Sequence, residues 1–299
     1  MVANIIKRQT LEGIYSASGM QKIDGKLYIV CDNSPYLFTL NEKNFETINK
    51  IKLFEPQKIL DGQIPKPIKP DFECLTQISS NTLLAIGSGS KKISRDVAYL
   101  INLNQDNTKQ PQTRLDTSNL YNQLRTHQTI LNGQKLNLEA AFTTQKHIGL
   151  MHRGNISGVN ALFLYPKHDF LDALTQHKTL QPEVFTYELP SIKHRLSGFS
   201  AACITKNCKQ ILFACTAEDT NNEIDDGEIL GSFVGFIDVD DLKNPLPKTV
   251  FIPDTTLKIE GICIKNQTPN SLTIYAVTDN DGTPSELLEI QILDLETLA

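Results

Sequence analysis

The chain of 299 residues is 40% hydrophobic and 21% charged, with no Trp and six Cys, enough to fill one large or two medium compact cores, which excludes a disulfide-stapled miniprotein or a disordered tail. Its 29 Lys and Arg against 34 Asp and Glu leave a net charge of −5. That balance excludes a global basic field, so neither nucleic acid nor membrane is expected as a partner.

From the N-terminus, Lys7 and Arg8 follow a short apolar stretch where a secretory signal would need a longer apolar run, and 18 consecutive apolar residues occur nowhere. The cysteines Cys31, Cys74, Cys203, Cys208, Cys215 and Cys263 sit mostly in apolar strand-like runs, where a free Cys packs as a small core residue. Reduced thiols in a cytoplasmic protein are the expectation. No matching His accompanies Cys203, Cys208 and Cys215, so their spacing is poor for zinc.

One unit then recurs along the chain: an apolar strand with a polar residue at its centre, a short turn, and a second strand ending in polar residues. The first strands are Ser16–Met20, Asp71–Leu75, Asn137–Ala141, Gly198–Ala202 and Lys258–Ile262, with centres Ser18, Glu73, Glu139, Ser200 and Glu260 spaced 55, 66, 61 and 60 residues apart. The second strands are Leu27–Asp32, Leu83–Ser88, Ile148–Arg153, Ile211–Thr216 and Ile274–Asp279. Third strands follow at Tyr36–Leu40, Ala98–Leu103, Ala161–Tyr165, Ser232–Val239 and Leu287–Leu293, so each unit reads as an antiparallel meander. Five such sheets predict an all-β, single-domain β-propeller over residues 1–299, whose first strands line a channel. Five blades are favoured; six are possible if 104–134 or 166–195 holds a degenerate blade. Asn4–Leu11 is expected to supply the outer strand of the last blade and close the ring. Asp169–His177 reads as a short amphipathic helix.

A carboxylate on a central strand is costly unless it is paired or bound to metal. Glu73, Glu139 and Glu260 should converge near the axis, with Asp32 and Asp279 among the acids ringing one mouth. Oxygen clusters of this kind hold Ca²⁺ or another hard divalent cation. His152 and Arg153 are the only His/Arg pair at an expected mouth position, candidates for an acid/base and an anion clamp. The basic residues Lys69, Lys135, Arg195 and Lys258 precede the later inner-strand centres and offer the alternative of neutralising the carboxylates directly. The loop from Gly87 to Arg95 offers an anion nest or an ordinary turn, and the segment 218–226 reads as a solvated acidic loop.

Ile259-Glu260-Gly261-Ile262 followed by Asp279-Asn280-Asp281-Gly282 resembles the blade signature of phytase-like esterase propellers and the SdiA-regulated propeller family. Ser34–Phe38, Ile68–Glu73 and Leu150–Asn155 place the chain nearest an uncharacterised bacterial branch of that group. The resemblance implies channel glutamates at Glu73, Glu139 and Glu260 and second-strand acids at Asp32 and Asp279; Ser18 and Ser200 depart from it. Two functions remain open: divalent-metal-assisted hydrolysis of a small ester, lactone or phosphoester, and a non-catalytic propeller that binds a protein or small ligand.

Overall fold

Short apolar runs bounded by Gly, Asp and Asn turns are too short for stable helices and too apolar to remain in water, so they pair with their neighbours in antiparallel ladders. The computed structural model describes residues 1–104, 112–176, 178–220 and 227–295. After β1 (Val2–Tyr15), blade one consists of β2 (Ala17–Ile23), β3 (Lys26–Cys31), β4 (Tyr36–Asn41) and β5 (Thr47–Lys52). Blade two follows with β6 (Phe72–Ser79), β7 (Thr82–Gly87), β8 (Ala98–Asn102) and β9 (Thr113–Leu115). The helices α1 (Ser118–Leu124) and α2 (Gln128–Leu131) lead into blade three, made of β10 (Leu138–Thr143), β11 (His147–His152), β12 (Asn160–Pro166) and β13 (Glu183–Tyr187). Helix α3 (Lys167–Gln176) lies between its last two strands, where the amphipathic pattern predicts it; His177 lies outside the described residues.

Blade four adds the two-residue β14 (Ser191–Ile192) to β15 (Arg195–Ile204), β16 (Gln210–Asp219), β17 (Glu228–Asp238) and β18 (Lys248–Phe251). Blade five holds β19 (Ile259–Gln267), β20 (Ser271–Thr278) and β21 (Pro284–Leu293), with β1 as its outer strand. The ring closes as expected, and over a longer stretch than Asn4–Leu11: β1 pairs with β21 from Val2↔Leu293 to Tyr15↔Pro284. Packing runs from β2 to β6, β10, β15, β19 and back to β2, so the first strands form the inner ring of a five-bladed propeller. Among the described residues, 112–134 and 166–195 supply outer strands and helices and no sixth blade.

Apolar side chains fill the spaces between blades and leave the axis to polar ones. Phe72, Leu75 and Leu83 pack against Tyr28, Val30 and Leu37 between blades one and two. The join between blades four and five is filled by Leu212, Val234, Ile259 and Ile274. Each buried Leu, Ile or Phe contributes roughly 1.5–3 kcal/mol, so every blade depends on both neighbours. Five cysteines are buried as free thiols and Cys208 is exposed.

Candidate functional site

All five inner strands carry the same irregularity. Ser18, Glu73, Glu139, Ser200 and Glu260 are the residues skipped at the register shifts between Ala17 and Gly19, Phe72 and Cys74, Leu138 and Ala140, Phe199 and Ala201, and Ile259 and Gly261. A β-bulge frees one residue from the ladder and re-aims its side chain. Here it turns the polar centre of each blade toward the axis.

The three glutamates meet as expected: one carboxylate oxygen from each of Glu73, Glu139 and Glu260 lies within 4.8 Å of the other two. Asp32, Asp71 and Glu73 form a second group within the same limit, so Glu73 belongs to both. The two serines act differently. Ser200 Oγ donates to Ile259 O at 2.6 Å and Ser18 Oγ to Phe72 O, so each ties its blade to the residue preceding the next blade's glutamate.

The glutamates form the floor of a cavity of about 800 Å³ that opens at one end of the channel. Behind them the channel narrows to a space of about 10 Å³ walled by Met20, Leu75, Ala141 and Ile262, room for about one water molecule. The cavity is a well floored by the three glutamates.

Bases enter the well on both sides. Arg153 Nη2 donates to Glu218 Oε1 at 2.9 Å, and its Nη1 lies 3.5 Å from Glu260 Oε1 and 3.6 Å from Glu139 Oε2. Lys258 Nζ lies 3.1 Å from Glu260, 3.5 Å from Glu218 and 3.7 Å from Asp279. Lys69 pairs with Asp32 and, at 2.8 Å, with Asp71, while Arg95 Nη1 donates to Asp71 at 2.6 Å. Arg195 pairs at the exposed rim with Asp219 and does not reach the glutamates. Arg153 fits because blade four carries Gly198: a Cβ there would lie 2.3 Å from Arg153 Cγ.

These surroundings set the charge states. Burial pushes the Glu73 carboxyl well above its ordinary range, and Glu139, Asp71 and Glu260 push it further. Its Oε2 is buried and has no hydrogen-bond partner. Glu260 is pushed up to about 8, by burial first, against the pull of Lys258 and Arg153. Burial raises Glu139 too, although Asn137 Nδ2 donates to it at 2.6 Å. Asp32 rises to about 6 by burial despite Lys69. Asp71 is held down, because Lys69 and Arg95 outweigh its burial. Burial alone would lower Lys258 and Arg153; their carboxylates hold both up and charged.

His152 lines the well, and its Nδ1 accepts from Asn137 N at 3.1 Å. Burial lowers it to about 4, so it is neutral near pH 7. The expected acid/base is therefore a neutral imidazole here, and the expected anion clamp, Arg153, is engaged by three glutamates. Asp71 was not among the sequence candidates. It stands two residues before Glu73, as Asn137 and Lys258 stand before Glu139 and Glu260, and that repeated polar position was the signal. The Gly87–Arg95 loop closes on this carboxylate: Ser88 and Ser90 donate to Asp71, with Arg95 beside them. Of the acidic loop, 221–226 lie outside the described residues.

Residues 13–292 match DUF6929, a family of unknown function. The chain belongs to this family. No curated protein matches it by sequence. Among solved structures, Myxococcus xanthus glutaminyl cyclase is 9% identical with a TM-score of 0.56, covering 98% of this chain and 97% of that one. A luciferin-regenerating enzyme is 10% identical with a TM-score of 0.44, covering 95% and 94%. Hydrazine synthase of Kuenenia stuttgartiensis is 7% identical with a TM-score of 0.42, covering 92% of this chain and 59% of that one, so the chain spans less than two thirds of that protein. At 9% identity the likeness to the glutaminyl cyclase concerns the fold alone. No helix among the described residues is long and apolar enough to cross a membrane.

Proposed function

We propose that the well of this DUF6929 protein binds a divalent cation of the Ca²⁺ or Mg²⁺ class and hydrolyses a small ester, lactone or phosphoester. The observation that carries this reading is Glu73, a buried carboxylate with an unpartnered oxygen that belongs to both acidic groups. An unsatisfied buried acceptor costs about 1–3 kcal/mol, a cost that a bound cation would relieve. Glu73, Glu139 and Glu260 would hold the ion through oxygen ligands, the donor type that hard cations take, and Asp32 and Asp279 stand at its margin. A bound ion would supply Lewis-acid polarisation of a carbonyl or phosphoryl oxygen.

The chain's own residues do the positioning. Arg153 and Lys258 hold Glu139, Glu218 and Glu260 in place, and a substrate anion reaches either base only by displacing a glutamate. His152 enters as a neutral hydrogen-bonding group with its orientation fixed by Asn137 N. The resemblance of Ile259–Ile262 and Asp279–Gly282 to the blade signature of phytase-like propellers points to the same reading, and the buried thiols support a cytoplasmic setting.

The second reading is a propeller that binds a ligand without turnover. It is favoured by the way Arg153, Lys258, Lys69 and Arg95 pair most of the carboxylates without any ion. Titration calorimetry with Ca²⁺, Mg²⁺ and Mn²⁺, followed by esterase, lactonase and phosphatase assays with and without chelator, separates the two. Metal-dependent turnover supports hydrolysis, metal binding alone leaves the binding module, and the absence of both removes the metal from the account.

A further inference from the structure

The net charge of −5 conceals a local basic excess at one part of the rim of the well. Within the well acids and bases interleave, with Lys69 and Arg95 held by Asp32 and Asp71 and with Lys258 beside Asp279, and the unbalanced charge lies outside it, on the side of blades one and two. On that side two loops stand out from the ring. The blade-one-to-two linker exposes Ile59 at 44%, Leu60 at 51% and Ile68 at 38%, and the loop between β7 and β8 exposes Ile93 at 84%. Lys58, Lys66, Lys91 and Lys92 are exposed beside them, with Asp61 as an acidic neighbour in the tight turn after Leu60.

The two loops form one collar, since Lys91 Nζ donates to Pro67 O at 2.9 Å. Leu60 and Ile64 line the mouth itself, so the apolar collar is continuous with the entrance to the well. Ile93 sits at the tip with a φ of 71°. That conformation is an outlier for a β-branched residue, and strain of this kind persists where a structure presents a side chain for use.

We infer that this collar docks the mouth onto an anionic lipid surface. Projecting aliphatic side chains ringed by lysines match the interfacial pattern of apolar insertion with electrostatic attraction to acidic headgroups. Protein interfaces instead enrich aromatic residues and Arg and deplete Lys, and the collar's exposed residues are Ile, Leu and Lys. Contact is confined to the sector of blades one and two, where the two loops carry the exposed aliphatic and lysine side chains. The inference is independent of the chemistry in the well.

Co-sedimentation of the whole chain with phosphatidylglycerol-containing vesicles and with pure phosphatidylcholine vesicles tests it. Binding is expected to the anionic vesicles only, and to weaken at high salt. Ile93→Asp and Leu60→Asp should each reduce partitioning about tenfold, the worth of one buried aliphatic side chain. Lys91→Gln should reduce it about fivefold. Leu246→Asp, 61% exposed in the connection between β17 and β18 at the opposite face, should leave it unchanged. Circular dichroism confirms that each variant is folded. No binding to anionic vesicles, equal binding to neutral ones, equal loss in Leu246→Asp, or capture of a soluble acidic protein through the collar without vesicle binding would each overturn the inference.

Discussion

Glu73 and Arg153 lie in the same well, and substitutions at the two should act in opposite directions. Glu73 accepts no hydrogen bond at Oε2 and faces other carboxylates, so Glu73→Gln replaces an acid crowded by carboxylates with an amide whose N–H groups donate to them. Without metal it should stabilise the protein by about 1–3 kcal/mol in chemical denaturation. Arg153→Leu takes the paired base from Glu139 and leaves Glu218 and Glu260 to Lys258, and should cost about 3–5 kcal/mol, the range for breaking a buried pair by removing one partner. Loss of stability in both variants would show that Glu73 has a partner after all.

The pH dependence belongs to the same residues. Glu260 is held up to about 8 against an ordinary value of 4.5, so between these values the folded chain keeps a proton that the unfolded chain releases. Stability from this group is complete below pH 4.5 and is lost as pH rises toward about 8. Asp32 acts in the same direction up to about 6. His152, lowered from 6.5 to about 4, opposes both in that lower window, because the unfolded imidazole binds the proton that the folded one refuses. Above about pH 6.5 only the carboxyl effect remains, so in chelator the melting temperature should fall from pH 6.5 to 8. A flat or rising profile over that range would contradict the raised glutamates.

At the scale of the strand, the repeated bulge is what converts a polar residue in an apolar run into an axial side chain. The alternation of apolar and polar residues was readable at Ser18, Glu73, Glu139, Ser200 and Glu260, but a bulge is a pairing irregularity and leaves no residue signature of its own. Asp71, Arg95 and Arg153 show the same limit. Arg153 reaches across to Glu218 and Glu260 of the next two blades, while Arg95 folds back from a loop onto Asp71 of its own blade, and spacing within one unit reports neither reach. The serine latches and Gly198 belong here too. Ser200→Ala should cost about 1 kcal/mol, the loss of one buried hydrogen bond, and loosen β19 just before Glu260. Gly198→Ala should cost about 1–3 kcal/mol by overpacking, because its Cβ meets Arg153 Cγ at 2.3 Å. Denaturant melts of both variants check this; a neutral Gly198→Ala would mean that Arg153 moves freely.

For the whole molecule, blade number and ring closure were legible because the period persists along the chain and the spacing across the termini matches it. The helices and the long linkers were less so, since each fills one local gap and does not recur. Closure by β1 carries a consequence for folding: removing residues 1–16 would expose the edge of β21 and unsatisfy a full ladder of backbone groups. The truncated chain should lose its cooperative thermal transition and aggregate, as followed by calorimetry and light scattering. A truncated chain that still melts cooperatively would mean that the inter-blade cores alone hold the ring.

The central claim, that the channel glutamates hold a divalent cation, is tested most directly by the melting temperature of wild type and Glu73→Gln as Ca²⁺ is added after chelation. A ligand that binds only the folded state raises stability by about 2.7 kcal/mol at a hundred times its dissociation constant. The account predicts a rise with Ca²⁺ in wild type and none in Glu73→Gln, which starts from the higher melting temperature in chelator. A wild-type melting temperature indifferent to Ca²⁺, Mg²⁺ and Mn²⁺, or a variant that responds as wild type does, would contradict it.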